Sequence, residues 1–356
     1  MRILDRYIAV TLLKGYGVVL LVLITIFSFL ALVMELEDVG DGNYQVIDAL
    51  IYSVLTLPQR ILDLAPVTVL LGGLLGLGSL ARGGELVAIR ASGVSFGRFI
   101  WSVLRLVLIL VIGLALFTQF IVPPLTQLAE VQRNNATRAH PDLVRGNSFW
   151  APDKQQLLHV HRMWKGRVPA RIELYEFDPQ GKLNTFVYAE RADVQDSGEW
   201  QLINVHRKII TNNAVVRQNR ASMRWKSFLK NGQLEMLQLP VRSLSPGSLY
   251  QYLLYLKDTR QASNHIELIF WQKVFLPLSV GAMALLAVSF GFGSPRSPEF
   301  GKRLFLGAGV GILFYLLSQI IANLGLLFGL SPLLIAGVPP LAVTGISCYL
   351  LRRVMF

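Results

Sequence analysis

"LARGGELVAIRASG", residues 80–93, is the stretch on which the reading of this chain turns. It separates two apolar runs, roughly Leu57–Ala81 and Ile100–Val122, each near the ~20 residues that cross a bilayer core. Gly83-Gly84 breaks the first run, and Gly93 is placed to end a short helix begun there. Between these glycines "ELVAIRAS" has room for about two helical turns. Glu85 falls in the first turn, where the helix dipole favours an acid. Leu86, Ile89 and Gly93 share a face at i, i+3 and i+7. A short surface helix of this kind is a plug for a groove in a soluble partner. It is equally an interfacial helix that only turns the chain. The stretch alone leaves both readings open.

Working outward, six spans emerge: about Gly15–Met34, Leu57–Ala81, Ile100–Val122, Leu268–Gly291, Leu304–Phe328 and Leu333–Leu351. Pro58 and Pro66 enter the second, and Pro123-Pro124 is read as stopping the third. Basic residues set the orientation. Arg2, Arg6 and Lys14 precede the first span, Arg82, Arg90 and Arg98 follow the second, Arg296, Lys302 and Arg303 follow the fourth, and Arg352 and Arg353 end the chain. With six spans all four groups fall on one side, so that side is read as cytoplasmic and both termini with it. The first external loop is acidic, with Glu35, Glu37, Asp38, Asp41 and Asp48. The plan is residues 1–125 (three spans with a cytoplasmic helix at about 84–92), 126–262 (an external domain with flanking helical linkers) and 263–356 (three more spans).

Composition agrees. Of 356 residues, 53% are hydrophobic and only 16% charged, and mean hydropathy is +0.48. That is too apolar for a soluble domain of this length. The net charge of +12 collects beside apolar segments, as the positive-inside bias requires, and no nucleic-acid module accompanies it. The single cysteine, Cys348, makes no internal disulfide and reads as a small apolar filler. The first apolar run is long enough to span and lacks a small-residue cleavage site, so it is not read as a signal peptide.

The external domain reads as β. "ARIELYEF" alternates, Asp178-Pro-Gln-Gly181 makes a turn, and Val187–Val194 resumes the pattern. Asp196-Ser-Gly198 and Asn212-Asn213 are further turn signals around a strand bearing Trp200, Leu202 and Ile203. Such spacing fits a sandwich, jelly roll or barrel. "QLAEVQRNNATRA" and "SPGSLYQYLLYLKDTRQ" are helical linkers, the second starting at Ser245-Pro246.

Chemistry-bearing motifs are sparse. The chain lacks a G-x-x-x-x-G-K-[ST] loop, an H-E-x-x-H pair and a Cys/His cluster. His159 and His161 share a strand face, but no third ligand lies nearby in sequence, so they read as surface residues. The first, second, fifth and sixth spans carry no ionisable residue in their middles, which argues against an ion-driven carrier. Lys273 sits near the outer end of the fourth span, placed to snorkel to headgroups or to meet a substrate phosphate. Gly72/Gly76 and Gly307/Gly311 have small-xxx-small spacing, which serves packing within the chain or against a second subunit.

"LDRYI" (residues 4–8), "LLGLGSLARGGELVAIRASGVS" (74–95) and "WQKVFLPLSV" (271–280), with the three-span, β-domain, three-span plan, resemble the LptF/LptG permease family over essentially the whole chain. The first and third motifs are nearer its LptG branch. The resemblance implies an α+β membrane protein with six transmembrane helices (3+3) and a periplasmic jelly-roll-like β domain between helices 3 and 4. It implies an ABC-transporter permease of the inner membrane, paired with an LptF-like subunit and driven by two LptB-like ATPases that hold the ATP and Mg. This chain itself would carry no cofactor, metal or catalytic residue. The cargo would be lipopolysaccharide, passed to LptC-like and LptA-like jelly rolls. The helix after the second span becomes a coupling helix through Glu85, Leu86, Ala88, Ile89 and Arg90. Phosphate contacts at the outer rim fall to Arg60, Arg133 and Lys273. One departure stands out: some family members carry lysines at the outer end of the first span, where this chain has Glu35, Glu37 and Asp38. Pairing of Glu35 or Glu37 with Arg60 would relieve their repulsion of phosphate. The rival readings are an ion-coupled secondary transporter and a non-transporting scaffold or sensor with a ligand-binding β domain.

Overall fold

A computed structural model describes residues 3–137, 148–153, 155–164, 168–194, 199–211, 214–229, 240–259, 261–291 and 300–355. Six helical segments are long and apolar enough to cross a membrane. The first is α1 (Ile3–Leu36); α2 (Val46–Leu55) is a short apolar helix in the loop after it. The second crossing is α3 (Leu57–Arg82), followed by α4 (Glu85–Ala91). The third is composite. From α5 (Phe96–Leu116) the chain passes through a π-helical turn at Phe117–Ile121 into α6 (Val122–Ala136).

Pro123-Pro124 therefore does not end the helix, although the stretch from 100 to 122 is long enough by itself to cross. Proline lacks the amide hydrogen that an interior turn needs, but a helix's first turn has no intrahelical acceptor for it. The wide π turn ends one hydrogen-bond register, and α6 starts afresh with its prolines in that first turn. The apolar segment Gly97–Ala136 has 40 residues. At 1.5 Å per residue that is about 60 Å, twice a hydrocarbon core of about 30 Å. The polar second half, α6, thus projects beyond the bilayer.

The helix α3 is the centre of the bundle. A side chain at Gly15 of α1 would collide with the carbonyl oxygen of Gly72, and one at Gly72 would lie 2.7 Å from Cα of Tyr16. These glycines bring α1 and α3 backbone to backbone. Gly307 and Gly311 face the side chains of Leu74, Val67 and Leu70 of α3, with Gly307 the closer of the two. Both small-residue pairs are taken up by packing inside the chain.

The β domain has strands β1 (Phe149–Pro152), β2 (Gln156–Trp164), β3 (Val168–Phe177), β4 (Leu183–Val194), β5 (Glu199–Thr211) and β6 (Ala214–Lys226). Among the described residues they form one antiparallel sheet in the order β1-β2-β3-β4-β5-β6. A second sheet of the jelly-roll kind is not seen among them. One face buries Leu158, Val160, Ile172, Leu174, Val187, Ala189, Trp200 and Leu202 against Tyr255 and Leu256 of α7 (Pro246–Asp258). Trp200 meets Trp225 edge-on, with centroids 5.4 Å apart. The Asp178 turn forms where the sequence marks it: Oδ1 accepts from the amides of Gln180 and Lys182, and Gly181 takes φ +80°. The turns at 196–198 and 212–213 lie outside the described residues. Arg171 and Asn204 have left-handed φ, and pairing is interrupted at both, which kinks their strands there.

Ser245 caps α7, its Oγ accepting from the amide of Ser248 at 3.1 Å, so Ser245-Pro246 is the helix start that the sequence marks. The remaining crossings are α8 (Asn264–Gly291), α9 (Phe300–Leu327) and α10 (Pro332–Met355).

Candidate functional site

At the end of the bundle opposite the sheet, α4 is bounded by two glycines in left-handed backbone, Gly84 (φ +72°) and Gly93 (φ +82°). Only glycine takes that conformation without strain, which is why the sequence punctuates the helix there. Leu86 and Ile89 are half-buried against the cluster that holds Ile8, Leu12, Phe99 and Val103, beside Leu4. Their shared apolar face is therefore the inward face. Val87, 53% exposed, with Ala88 and Ala91, looks away from the bundle. The side chain of Arg90 lies outside the described residues.

Glu85 is held from an unexpected quarter. Tyr7 of α1 donates a hydrogen bond from Oη to Glu85 Oε2 at 2.7 Å. Two positions earlier, Asp5 is buried and accepts from Ser102 Oγ at 2.5 Å, with Arg105 Nη1 at 3.7 Å. Thus "LDRYI" ties the start of α1 to α4 through one residue and to α5 through another. Sequence reasoning singles out neither Tyr7 nor Asp5, though an acid and a phenol so close together at a helix start are a usable signal.

The other end carries the three basic candidates, and the structure treats them differently. Arg133, on α6, is ion-paired with both Glu35 and Asp38, and its guanidinium stacks over the Tyr52 ring at 5.4 Å. Tyr44 donates to Glu35 Oε1 at 2.8 Å, and Tyr52 donates to Glu130 Oε1 at 3.1 Å. The partner of the acidic cluster is thus Arg133 and not Arg60, the partner expected from the sequence. The physical reason is the length of α6, which carries Arg133 back to the end of α1. Lys273 on α8 donates from Nζ to the carbonyls of Arg242 (2.9 Å) and Leu244 (2.6 Å). It lines a cavity of about 280 Å³ with Thr118, Gln119, Pro246 and Pro277. Arg60, in the first turn of α3, has Nη1 buried with no hydrogen-bond partner among the described residues.

The sequence that builds this surface helix, arginine latch and six crossings matches a known family. The model of the lipopolysaccharide export system permease LptF/LptG matches residues 6–353. The chain belongs to the LptF/LptG permease family. Among curated relatives, the lipopolysaccharide export system permease protein LptG of Haemophilus influenzae is 32% identical over 351 residues, 98% of each chain. LptG of Escherichia coli strain K12 is 31% identical over 353 residues, 99% of this chain and 98% of its own. The LptF/LptG match covers both ends of the bundle and the sheet, so α4 and the basic residues at the opposite end are parts of a multi-pass permease for lipopolysaccharide transport.

Proposed function

We propose that this chain is the LptG-type subunit of an ABC exporter that extracts lipopolysaccharide from the inner membrane. In this reading α4 and both termini lie in the cytoplasm and the sheet lies in the periplasm. The basic residues flanking α4 and the spans support that orientation. An LptF-like subunit completes the cavity, and two LptB-like ATPases supply ATP and Mg. The lipid passes along the sheet to LptC-like and LptA-like jelly rolls.

One observation carries the reading: α4 has two committed faces. Leu86 and Ile89 fasten it to the bundle, while Val87, Ala88 and Ala91 stand free for a partner groove. A helix that only turned the chain would need no tie to α1. Here Tyr7–Glu85 links it to α1, and Asp5–Ser102 links α1 to α5. A push on the outer face of α4 is passed to both helices as one body. The subunits then close on the cavity and drive the lipid outward, without covalent chemistry in this chain.

The test places a cysteine at Ala88 in a Cys348→Ser background and adds a short bifunctional crosslinker to membranes. Crosslinking to the ATPase that changes with ATP is expected. If Ala88→Cys is labelled only by lipid-soluble reagents and no ATPase leaves the membrane with this chain in mild detergent, the reading fails.

A further inference from the structure

His159 and His161 lie two apart on β2 and share a face, and the register places Glu173 of β3 opposite His159. This face is turned from the core, which takes Leu158, Val160, Ile172 and Leu174. The third ligand missing near the histidines in sequence is supplied across the hairpin. His159 Nδ1 is 3.3 Å from Glu173 Oε2, and His161 Nε2 is 3.1 Å from Glu173 Oε1. One ligand atom from each residue lies within 4.8 Å of the other two. Around a tetrahedral Zn²⁺ with bonds of about 2.0–2.1 Å, ligand atoms sit about 3.3–3.4 Å apart. The widest separation, within 4.8 Å, has to close toward that value when an ion binds, and His161 is the more exposed of the two histidines.

The surroundings are those of a ligand set. Trp150 stacks on His159 with centroids 3.8 Å apart and planes 5° from parallel, fixing the ring. Tyr175 donates to Glu173 Oε2 at 2.8 Å and orients the carboxylate, as outer-shell partners of metal ligands do. Neutral rings can each donate one N–H to Glu173, so a hydrogen-bonded His–Glu cluster is the alternative that the metal titration decides. What favours an ion is convergence: two rings 3.9 Å apart aim at one carboxylate, and a dication satisfies all three groups at once.

We propose that His159, His161 and Glu173 form a binding site for a first-row transition dication of the Zn²⁺ class. Two imidazoles and one carboxylate suit zinc, whereas magnesium and calcium take oxygen ligands. With three protein ligands the fourth position is left to water, so the site binds its ion exchangeably. The bound ion would clamp β2 to β3 beneath Trp150. The proposal stands on the sheet alone and does not depend on the transport reading.

The experiment uses the full-length chain in detergent, with a purification tag free of histidine, stripped by chelator and titrated with Zn²⁺ and with Co²⁺. One Zn²⁺ per chain is expected in calorimetry, with visible d–d absorption of a four- or five-coordinate site in the Co²⁺ form. His161→Ala and Glu173→Gln should each weaken binding by at least the roughly 10-fold typical of disturbed metal sites. His206→Gln serves as the control and should bind as wild type does. Thermal melts of each apo variant verify that it is folded. A folded wild type without stoichiometric binding, or variants that bind as wild type does, would overturn the site and leave an ion-paired cluster.

Discussion

Tyr7 donates a 2.7 Å hydrogen bond to Glu85 across 78 positions of the chain. The two motifs that carry the family likeness at the α4 end of the bundle, "LDRYI" and "ARGGELVAIRASG", are thus one structural unit. A helix docked on a partner transmits force only if it does not rock on its own bundle. Leu86 and Ile89 resist separation, and Tyr7 resists rotation about that apolar contact.

Tyr7→Phe should therefore uncouple without unfolding. The pair is exposed, so thermal stability should be nearly unchanged. In proteoliposomes with the partner subunits, lipid moved per ATP hydrolysed should fall several-fold while ATPase association persists. Glu85→Gln, which can still accept from the phenol, should do less harm than Glu85→Ala. Equal lipid-to-ATP ratios in Tyr7→Phe and wild type would refute the tie.

The two faces of α4 give separable phenotypes. Val87→Asp places a charge on the outward face and should lower ATPase co-purification at least 10-fold, with the melting curve intact. Leu86→Ala should spare the partner surface and loosen the seat, costing about 1–2 kcal/mol. That is below the roughly 2–5 kcal/mol of a fully buried leucine because Leu86 is half-buried. Paired pull-down and thermal melts on both variants distinguish the faces. Loss of partner binding in Leu86→Ala but not in Val87→Asp would reverse the assignment.

At the other end, Arg133→Ala should leave Glu35 buried with Tyr44 as its remaining partner. Breaking a fully buried pair costs about 3–5 kcal/mol; with Arg133 31% exposed, about 1–3 kcal/mol is expected. The double variant Arg133→Ala with Glu35→Gln should recover much of the loss, because no buried charge is stranded. Melting temperatures of the four members of this cycle check the point.

Contact between α1 and α3 is equally specific. Gly15→Ala pushes a methyl into the Gly72 carbonyl and should cost about 1–3 kcal/mol. Gly17→Ala, two residues on, meets nothing within 4 Å and should be silent. Detergent melts of the two variants suffice.

The six crossings and the glycine-bounded α4 are legible in the sequence because each announces itself locally, by a long apolar run or by residues that take left-handed backbone. The features that escape such a reading are decided by partners distant in sequence. The seven residues of α4 are apolar on more than one side, so only packing shows that Leu86 and Ile89 face inward while Val87 does not. The prolines of α6 end a helix by rule, and the π turn ahead of them is invisible to pattern. Arg133 finds Glu35 across 98 positions. Glu173 is nearer: pairing β2 with β3 through their alternation would have set it opposite His159.

Of the three basic candidates at the sheet end of the bundle, Arg60 is the one with a buried donor left unpaired among the described residues, and it makes the sharpest claim about cargo. Arg133 is already paired with Glu35 and Asp38, and Lys273 already donates to two backbone carbonyls. Arg60 buries Nη1 without a hydrogen-bond partner among the described residues. A buried donor left unpaired costs about 1–3 kcal/mol, and an anionic oxygen is the acceptor that best repays it. Arg60→Gln should therefore lower photocrosslinking of lipopolysaccharide at the neighbouring Leu64 several-fold, while leaving lipid-free stability equal or higher. Lys273→Gln should instead loosen the segment around Arg242–Leu244 and lower stability. With a lipid lacking phosphates, the difference between wild type and Arg60→Gln should vanish, since the lost contact has nothing to bind. Undiminished crosslinking of the phosphorylated lipid in Arg60→Gln would remove Arg60 from the lipid path.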